Sequence, residues 1–386
     1  MTGTNEHPDG PAVTPVGRRG FLASAALAAA PAPLAAAPAA AEPAEGATVA
    51  GPADEAAAAA GHGAVARLLA VAEGDRGIGW LRAALQVAVQ LELTTIPPYL
   101  CGWWSVRDRR GEAARLIRRI VGDEMYHLGV VCNLLVAVGG RPRIRDAAPR
   151  YPCPLPGGVR AGVQVYLSGL TKAFVRDVMM AIEAPDTPLA RTASSPPTIG
   201  DFYGELQRAF RRTEPYLSAE GQLSDRIGSD VLEPVTGLDD VERALEIVKE
   251  QGEGTESSPA DAFQDDHPAH YYAFAEIYHG RRLRRTARGW QFTGAPVPFP
   301  DARPMAPVPP GGWHRPPVRV GRLLDQFDTT YAAVLDRLDE AWGGGGGRSL
   351  GAAVRAMRGM EEPAVELMET PIPGAPGTYG PQFRPV

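Results

Sequence analysis

Cysteine is scarce in this chain of 386 residues, which contains only Cys101, Cys132 and Cys153. The three residues lie far apart in the sequence, and no two of them form a C-x-x-C pair. Closely spaced cysteine pairs are typical of disulfide scaffolds and of zinc knuckles. The sequence therefore predicts neither a disulfide-stabilised fold nor a structural zinc site built on cysteine.

Lysine is scarcer still, with Lys172 and Lys249 as the only two, and 45 acidic residues outnumber 39 basic ones to leave a formal net charge of −6. Because nucleic-acid binding requires a basic surface, we expect no nucleic-acid partner. The sequence also lacks a phosphate-binding loop, a dinucleotide fingerprint, a G-x-S-x-G elbow and internal repeats. These absences disfavour the common nucleotide-dependent and serine-hydrolase classes.

Apolar residues make up 44% of the chain, which is enough to bury one large core or two smaller ones. The 44 glycines and 38 prolines are too many for an uninterrupted helical protein. We therefore expect helices joined by long ordered loops, and a proline-rich coil between residues 296 and 317.

The amino terminus has the features of a twin-arginine export signal. Arg18 and Arg19 precede an alanine-rich apolar run that reaches small residues at 39–41, one possible cleavage site. A disordered Ala/Pro tail is the alternative. Three prolines interrupt the run, so we expect no stable membrane span. This interpretation predicts the twin-arginine export machinery as a partner and an extracellular or periplasmic location.

Two predicted helices carry apolar stripes that contain ionisable residues. The first stripe, spaced 4, 3, 4, 3, 4, is Leu81, Leu85, Ala88, Glu92, Thr95 and Tyr99. The second, spaced 3, 4, 3, 4, 3, 4, is Ile117, Ile120, Glu124, His127, Val131, Leu134 and Val138. If the chain turns near residue 108, Glu92 and Glu124 each lie 16 residues from the turn and should be level.

This arrangement predicts a metal site. An unpaired carboxylate costs several kcal/mol to bury, so two glutamates directed into a bundle need a compensating cation. Glu124-x-x-His127 has the i, i+3 spacing that puts an oxygen and a nitrogen ligand on one face, as in di-iron and di-manganese carboxylate bundles. A surface glutamate beside a core histidine is the alternative reading of the same spacing.

Several blocks of the sequence, in order, resemble a known family. They are LQVAVQLELTTIPPYLCGWWSV, DEMYHLGVVCNLLVAVGGRP, YPCPLPGGV, AFVRDVMMAIEAPD, TIGDFYGEL, KEQGEGT and HYYAFAEIYHGRRL, followed by a matching tail. Together they resemble the ferritin-like domain of the iminophenyl-pyruvate dimer synthase family over roughly residues 78 to 386. The best-known members of that family act in bisindole pigment biosynthesis, a branch of secondary metabolism.

The resemblance extends the list of candidate ligands. His270 shares a stripe with Phe274 and Ile277, which favours an inward position; a core histidine bonded to a carboxylate is the alternative. The helical wheel turns both Glu183 and Glu250 away from the apolar faces of their helices, whereas the resemblance implies that each is a fixed feature of the site. Both therefore stay candidates.

The fourth helix departs from the usual pattern. A ferritin-like site generally offers Glu-x-x-His there, but His267 precedes His270 by three residues. Three alternatives stay open: His267 acts as a nitrogen ligand, Asp266 reaches the site, or the site lacks a ligand at this position. Glu253 is a reserve candidate for the third helix.

Pro97 and Pro98 follow the first carboxylate closely. Proline removes a backbone donor, so either the helix ends there or it kinks, with nearby threonine hydroxyls able to bond the freed carbonyls. A kink would open a pocket beside the metal, lined by Tyr99, Trp103 and Trp104. An aromatic cluster of this kind also suits a simple core.

The predicted fold class is all-α: a ferritin-like four-helix bundle with additional helices and long Pro/Gly-rich loops. We expect a signal peptide over 1–45, a disordered Ala/Gly-rich linker over 46–76, the bundle over 77–284, a Pro-rich coil over 285–320 and carboxyl-terminal helices over 321–386. Those last helices should run from 323 to 341 and from 350 to 368, with a flexible break at Gly343 to Gly347.

Two functions are consistent with the sequence. The first is an exported iron-dependent oxidative enzyme, with one or two iron ions or else manganese, acting on a small aromatic or amino-acid-derived substrate as the resemblance implies. The second is a non-catalytic exported metal-binding or scaffold protein of ferritin-like fold. His267 and the unfavourable wheel positions of Glu183 and Glu250 favour the second. A homo-oligomer is compatible with both.

Overall fold

The computed structural model describes residues 63–160, 162–185, 198–253, 259 and 267–386, with the side chain of Glu253 excepted. The predicted signal peptide and most of the predicted linker lie outside these ranges. Within them the chain is mostly helical, with three short β-hairpins. The all-α prediction is confirmed.

The described chain begins with a short helix, α1 (Ala64–Ala70), ahead of the boundary expected at residue 77. Val65 of α1 is fully buried against the 3-10 turn Pro156–Gly158. Gly157 in that turn has φ 76°, and a Cβ there would lie 2.4 Å from Val65. Only glycine allows this approach. The segment before residue 77 is therefore part of the packed structure.

A long helical hairpin forms the centre of the molecule. It consists of α2 (Ile78–Ser105) and α3 (Glu112–Ala137), which pack against each other. Helix α3 is long and apolar enough to cross a membrane by length and composition, but 83% of its most apolar window is buried inside the protein. That burial is expected for a core helix.

Neither proline ends α2, which continues through Pro97 and Pro98 to Ser105. Pro98 cannot donate to the carbonyl of Thr94. The hydroxyl of Tyr151 donates to that carbonyl at 2.7 Å instead. The expectation that threonine hydroxyls do this was wrong, because Thr94 donates to the carbonyl of Gln90 at 2.6 Å.

Shorter helices surround one side of the hairpin. After α4 (Ile144–Ala147), a continuous helix consists of α5 (Lys172–Phe174), a π-helical turn at Val175–Met179 and α6 (Met180–Glu183). The remaining members are α7 (Ile199–Thr213), α8 (Leu238–Glu253) and α9 (His270–His279). Helix α9 contacts α3, α6 and α8, and α7 contacts α2 and α8. These contacts place six helices, α2, α3 and α6 to α9, around one interior.

The strands form three separate two-stranded antiparallel hairpins. They are β1 (Cys153–Pro154) with β2 (Gln164–Val165), β3 (Asp225–Ile227) with β4 (Asp230–Leu232), and β5 (Arg284–Thr286) with β6 (Gly289–Gln291). Their registers pair Cys153 with Val165, Asp225 with Leu232 and Arg284 with Gln291. Each hairpin is an addition to the helical body.

The proline-rich coil is an ordered wrap. The amide of Arg303 donates to the carbonyl of Ser105 at 2.7 Å, and that of Val308 donates to Leu167 at 2.9 Å. The coil leads into α10 (Val318–Glu340), a π-helical turn at Ala341–Gly345, α11 (Gly346–Arg358) and α12 (Glu361–Glu369). The expected flexible glycine break is thus a π-turn, and the predicted last helix is divided after Arg358.

The carboxyl-terminal segment is anchored by one aromatic ring and one carboxylate. Phe383 stacks on Trp104 at 6.0 Å, with the ring planes 7° apart. On either side of it, the side chain of Gln382 and the amide of Arg384 donate to Asp328 at 2.7 and 3.1 Å. Asp328 is only 2% exposed. The end of the chain is therefore held against α10 and α2.

Asp328 yields a prediction about stability and pH. Burial raises the pKa of Asp328 to about 6, so its contribution to stability is greatest below about pH 4 and is lost as pH rises towards 6. In Asp328→Asn this dependence is removed. The unfolding free energy of the native chain minus that of the variant should fall by up to about 3 kcal/mol between pH 4 and 7.

Urea denaturation of both proteins at several pH values measures this difference. Other titrating groups are common to the two proteins and cancel. A difference that is constant across this pH range contradicts the prediction.

Candidate metal centre

The central hairpin brings together the first three predicted ligands. Glu92 from α2 and Glu124 and His127 from α3 are 6%, 3% and 2% exposed. Nδ1 of His127 lies 3.6 Å from Oε2 of Glu92 and 3.8 Å from Oε1 of Glu124. One ligand atom from each of the three residues lies within 4.8 Å of the others. This group can hold a metal ion.

A second group of three shares one member with the first. Glu183 closes α6, and His270 is the first residue of α9. Nδ1 of His270 lies 2.9 Å from Oε1 of Glu124 and 3.8 Å from Oε1 of Glu183. Glu124, Glu183 and His270 are all buried, and one ligand atom from each lies within 4.8 Å of the others. Glu124 therefore lies between two adjacent sets of ligand atoms.

Both imidazole rings direct the same nitrogen towards the carboxylates. Nε2 of His127 lies 2.7 Å from Oε1 of Gln251, and Nε2 of His270 lies 3.2 Å from Oδ2 of Asp123. Metal-binding histidines generally donate their second ring nitrogen to a carbonyl or carboxylate, which fixes the ring and leaves the first nitrogen for the ion. Here Gln251 and Asp123 occupy those supporting positions.

The fit to a metal is supported by one unpartnered atom. Nδ1 of His270 is buried and has no hydrogen-bond partner among the described residues, although Oε1 of Glu124 is only 2.9 Å away. Buried polar atoms without partners are rare. A nitrogen in this position, next to the carboxylates of Glu124 and Glu183, suits a shared cation.

Each carboxylate also accepts a hydrogen bond from a neighbouring hydroxyl. Tyr203 donates to Oε1 of Glu92, and Tyr99 donates to Oε1 of Glu183 at 2.5 Å. Thr95 donates to Oε2 of Glu124 at 2.5 Å. These donors fix the carboxylate orientations and offset part of the cost of burial.

The electrostatics of the cluster favour cations. Burial, together with the charge of Glu183, raises the pKa of Glu124. Burial acts to lower the pKa of His127, but the nearby carboxylates of Glu92 and Glu124 outweigh it and raise the pKa to about 9. The neighbouring carboxylates likewise raise the pKa of His270 well above its usual value. The carboxylates thus favour positive charge on the neighbouring imidazoles. Metal ions and protons therefore compete for the same ligand nitrogens.

A small cavity of about 40 Å³ adjoins the cluster. Its walls include the ligand residues Glu92, Glu124, His127 and Glu183, the hydroxyl residues Thr95 and Tyr203, the apolar residues Leu91, Leu155, Ile182, Ile199 and Val248, and Gly200, Lys249 and Gly252. Lys249 is one of the two lysines of the chain. The volume accommodates a few water molecules.

Glu183 reaches the cluster because its helix is not a uniform α-helix. The π-helical turn at Val175–Met179 adds a residue to one turn. An extra residue changes the direction of every later side chain by about 100°. A straight wheel that starts upstream therefore directs Glu183 away from the face that includes Phe174. The structure instead buries Glu183 beside His270.

The structure leaves Glu250 outside the cluster. Glu250 is half-buried on α8 and belongs to neither ligand group. Helix α8 continues through Gly252 as one helix, so Glu250 keeps the direction that the wheel gives it. Its neighbour Gln251 faces inward instead. His267 is exposed. Asp266 and the side chain of Glu253 lie outside the described residues.

The tryptophans do not line the cavity at the cluster. Trp104 stacks on Phe383, and the guanidinium of Arg109 lies 4.5 Å from the centre of the Trp103 ring. Of the three aromatic residues expected around a kink pocket, only Tyr99 approaches the cluster. The interpretation of Trp103 and Trp104 as pocket residues was wrong, because α2 continues past its prolines and carries them away from the cluster.

Sequence reasoning missed three supporting residues. Asp123 precedes Glu124 directly and Gln251 follows Glu250 directly. In each pair the glutamate was the more obvious ligand candidate, so its neighbour was overlooked. Tyr203 lies in the block TIGDFYGEL, whose apolar pattern suggests only a packing role. An oxygen-bearing side chain within a buried stripe is the signal that each of them shares.

A family model described as ferritin-like matches residues 85–279. The chain belongs to the ferritin-like family. The matched range contains all five residues of the two ligand groups. This result confirms the predicted ferritin-like bundle.

A solved structure supports the same fold. A ferritin-like protein from Caulobacter vibrioides matches with a TM-score of 0.57 at 21% sequence identity, over 78% of this chain and 97% of that one. A comparison with curated proteins gives no match. The ferritin-like fold is shown, and the narrower resemblance to iminophenyl-pyruvate dimer synthases is not.

The shared position of Glu124 predicts the effect of its substitution. In Glu124→Gln one oxygen donor of both groups loses its charge, so we expect the variant to bind less than half the metal of the native chain. Glu92→Gln and Glu183→Gln each alter one group and should retain about one ion. Metal content after loading and gel filtration measures this.

Glu250→Gln is the matched control, because it makes the same change in charge on a helix of the bundle but outside both groups. It should bind as much metal as the native chain. Equal metal content in Glu124→Gln and Glu250→Gln would remove Glu124 from the set of ligands.

Proposed function

We propose that this ferritin-like protein is an iron-dependent oxidative enzyme that acts on a small aromatic or amino-acid-derived molecule, similar to iminophenyl-pyruvate dimer synthase. Glu92 and His127 would hold one ion, Glu183 and His270 the other, and Glu124 both. Iron in such a site supplies one-electron chemistry for the activation of dioxygen or peroxide.

One observation carries the proposal: a single buried carboxylate, Glu124, contributes an oxygen to two adjacent ligand groups. Three carboxylates and two imidazoles form a donor set that suits iron or manganese better than thiolate-preferring metals. A protein that only needed a structural ion would not require two overlapping groups at its centre. A two-ion centre is therefore the simplest function for this cluster.

The surrounding residues have roles that suit oxidative chemistry. Leu91, Ile182 and Val248 form apolar walls that limit access of water to the cluster. The hydroxyls of Tyr203 and Tyr99 donate to Oε1 of Glu92 and Oε1 of Glu183, respectively, and so hold these carboxylates in place. Burial and the neighbouring glutamates keep the pKa of both phenols well above the usual value, so they remain protonated donors.

The proposed substrate class comes from the sequence resemblance rather than from the cavity. A cavity of about 40 Å³ is too small for a whole aromatic amino-acid derivative. Such a substrate would have to bind with only part of itself beside the cluster, or displace the residues at the cavity's mouth. Lys249 lies among the lining residues and is suited to an anionic group.

The small cavity favours a second candidate function. A protein that binds metal without turnover needs space only for ions and water, and about 40 Å³ satisfies that need. This alternative is a non-catalytic exported metal-binding or scaffold protein of ferritin-like fold. The two functions differ in whether bound iron consumes an oxidant in response to an organic substrate.

Dioxygen consumption by the iron-loaded full chain distinguishes them. For the enzyme we expect about two irons per chain and oxygen uptake that increases at least tenfold when imino acids derived from aromatic amino acids are added. Glu124→Gln should abolish the increase, and Glu250→Gln should retain it. Two bound irons with uptake unaffected by any such compound support the binding protein, and no bound metal contradicts both functions.

We also propose that the protein is exported by the twin-arginine machinery. The arginine pair before the alanine-rich run supports this, and residues 1–62 lie outside the described part of the chain. Replacing Arg18 and Arg19 by lysine keeps the charge but should retain the protein in the cytoplasm of its native host. Immunoblots of cell fractions measure this, and unchanged export of the double variant contradicts the proposal.

A further inference from the structure

A second cavity, of about 90 Å³, lies on another face of the central hairpin. Leu93, Ile96 and Leu128 line it on the hairpin side, and each directly follows a residue that lines the cavity at the metal cluster. Helices α10 and α11 close the opposite side with residues such as Leu335 and Met357. The hairpin therefore separates two cavities of different chemistry.

The walls of the second cavity are almost entirely apolar. Besides leucine and isoleucine they include Met125, Met357 and Met360, and methionine side chains adapt easily to the shape of a ligand. The volume is several times that of one water molecule, and apolar cavities of this kind tend to exclude water and take up small apolar molecules. The chemistry of the walls thus favours an organic ligand.

One polar group breaks the apolar lining. Tyr331 is 4% exposed, and its hydroxyl is buried without a hydrogen-bond partner among the described residues. Tyr331 lines the cavity, and its ring packs edge-on against Phe383 at 5.1 Å. Leaving a hydroxyl unpaired in an apolar interior costs free energy. An oxygen atom on a bound molecule would recover that cost.

The rim of the cavity indicates the charge of the ligand. Asp225 and Arg226 both lie there, one of each sign. Val354, which is 37% exposed, lies at the same opening. Because the rim carries no net charge, neither an anion nor a cation is favoured.

We propose that the second cavity is a binding site for a neutral small molecule of about the size of phenol, with an apolar ring or short chain and one hydroxyl or carbonyl oxygen that hydrogen-bonds to Tyr331. The site is independent of the metal cluster and of the proposed oxidative function. It gives the carboxyl-terminal helices a role beyond covering the bundle.

Fluorine NMR titration of the full chain tests this proposal with 4-fluorophenol and 4-fluorotoluene, which differ by a hydroxyl in place of a methyl group. We expect saturable binding of both. Tyr331→Phe should weaken binding of 4-fluorophenol by about tenfold and leave that of 4-fluorotoluene unchanged. The variant loses only an unpartnered hydroxyl, so it should fold at least as stably as the native chain.

A second variant locates the probes. Val354→Trp places a large side chain at the half-open rim and should weaken both probes several-fold, with folding verified by circular dichroism. The proposal is overturned if neither probe binds saturably to the native chain, if Tyr331→Phe binds both probes as the native chain does, or if Val354→Trp changes neither affinity. None of these measurements depends on bound metal or on turnover.

Discussion

The structure depends on the burial of three carboxylates around one point. Each of Glu92, Glu124 and Glu183 is almost inaccessible to solvent, and a buried ion costs several kcal/mol unless it is compensated. Two imidazoles and three hydroxyls supply part of the compensation, and the proposed metal ions would supply the rest. Because four helices must converge for these groups to meet, the requirements of the cluster account for the arrangement of the bundle.

The central hairpin carries different chemistry on two of its faces. One face presents Glu92, Glu124 and His127 to the metal cluster. Another presents leucine, isoleucine and methionine to the carboxyl-terminal helices. Consecutive residues such as Glu92 and Leu93 therefore lie in different cavities. This division explains why α2 and α3 have few exposed positions and why so much of α3 is apolar.

The sequence was most informative where the helix is regular and the partners are close. Glu92, Glu124 and His127 lie on two straight stripes joined by a short turn, so counting residues was enough to bring them together. Counting failed for Glu183 because a π-turn changes the helical phase, and no simple residue pattern marks such a turn. The wheel was right to turn Glu250 away from the apolar face of α8, and only the family resemblance kept it as a candidate. The ordered coil was equally hard to foresee, since its hydrogen bonds join segments about 140 to 200 residues apart.

The π-helical turn at Val175–Met179 links the length of its helix to the direction of Glu183. Removing one residue within the turn would restore a regular α-helix and leave the carboxylate facing His270, because the loss of the residue and the loss of the turn cancel. Removing one residue after the turn would instead rotate the carboxylate by about 100°, out of reach of His270. Natural relatives that keep Glu183 in the same role but have a helix shorter by one residue should therefore lack the π-turn.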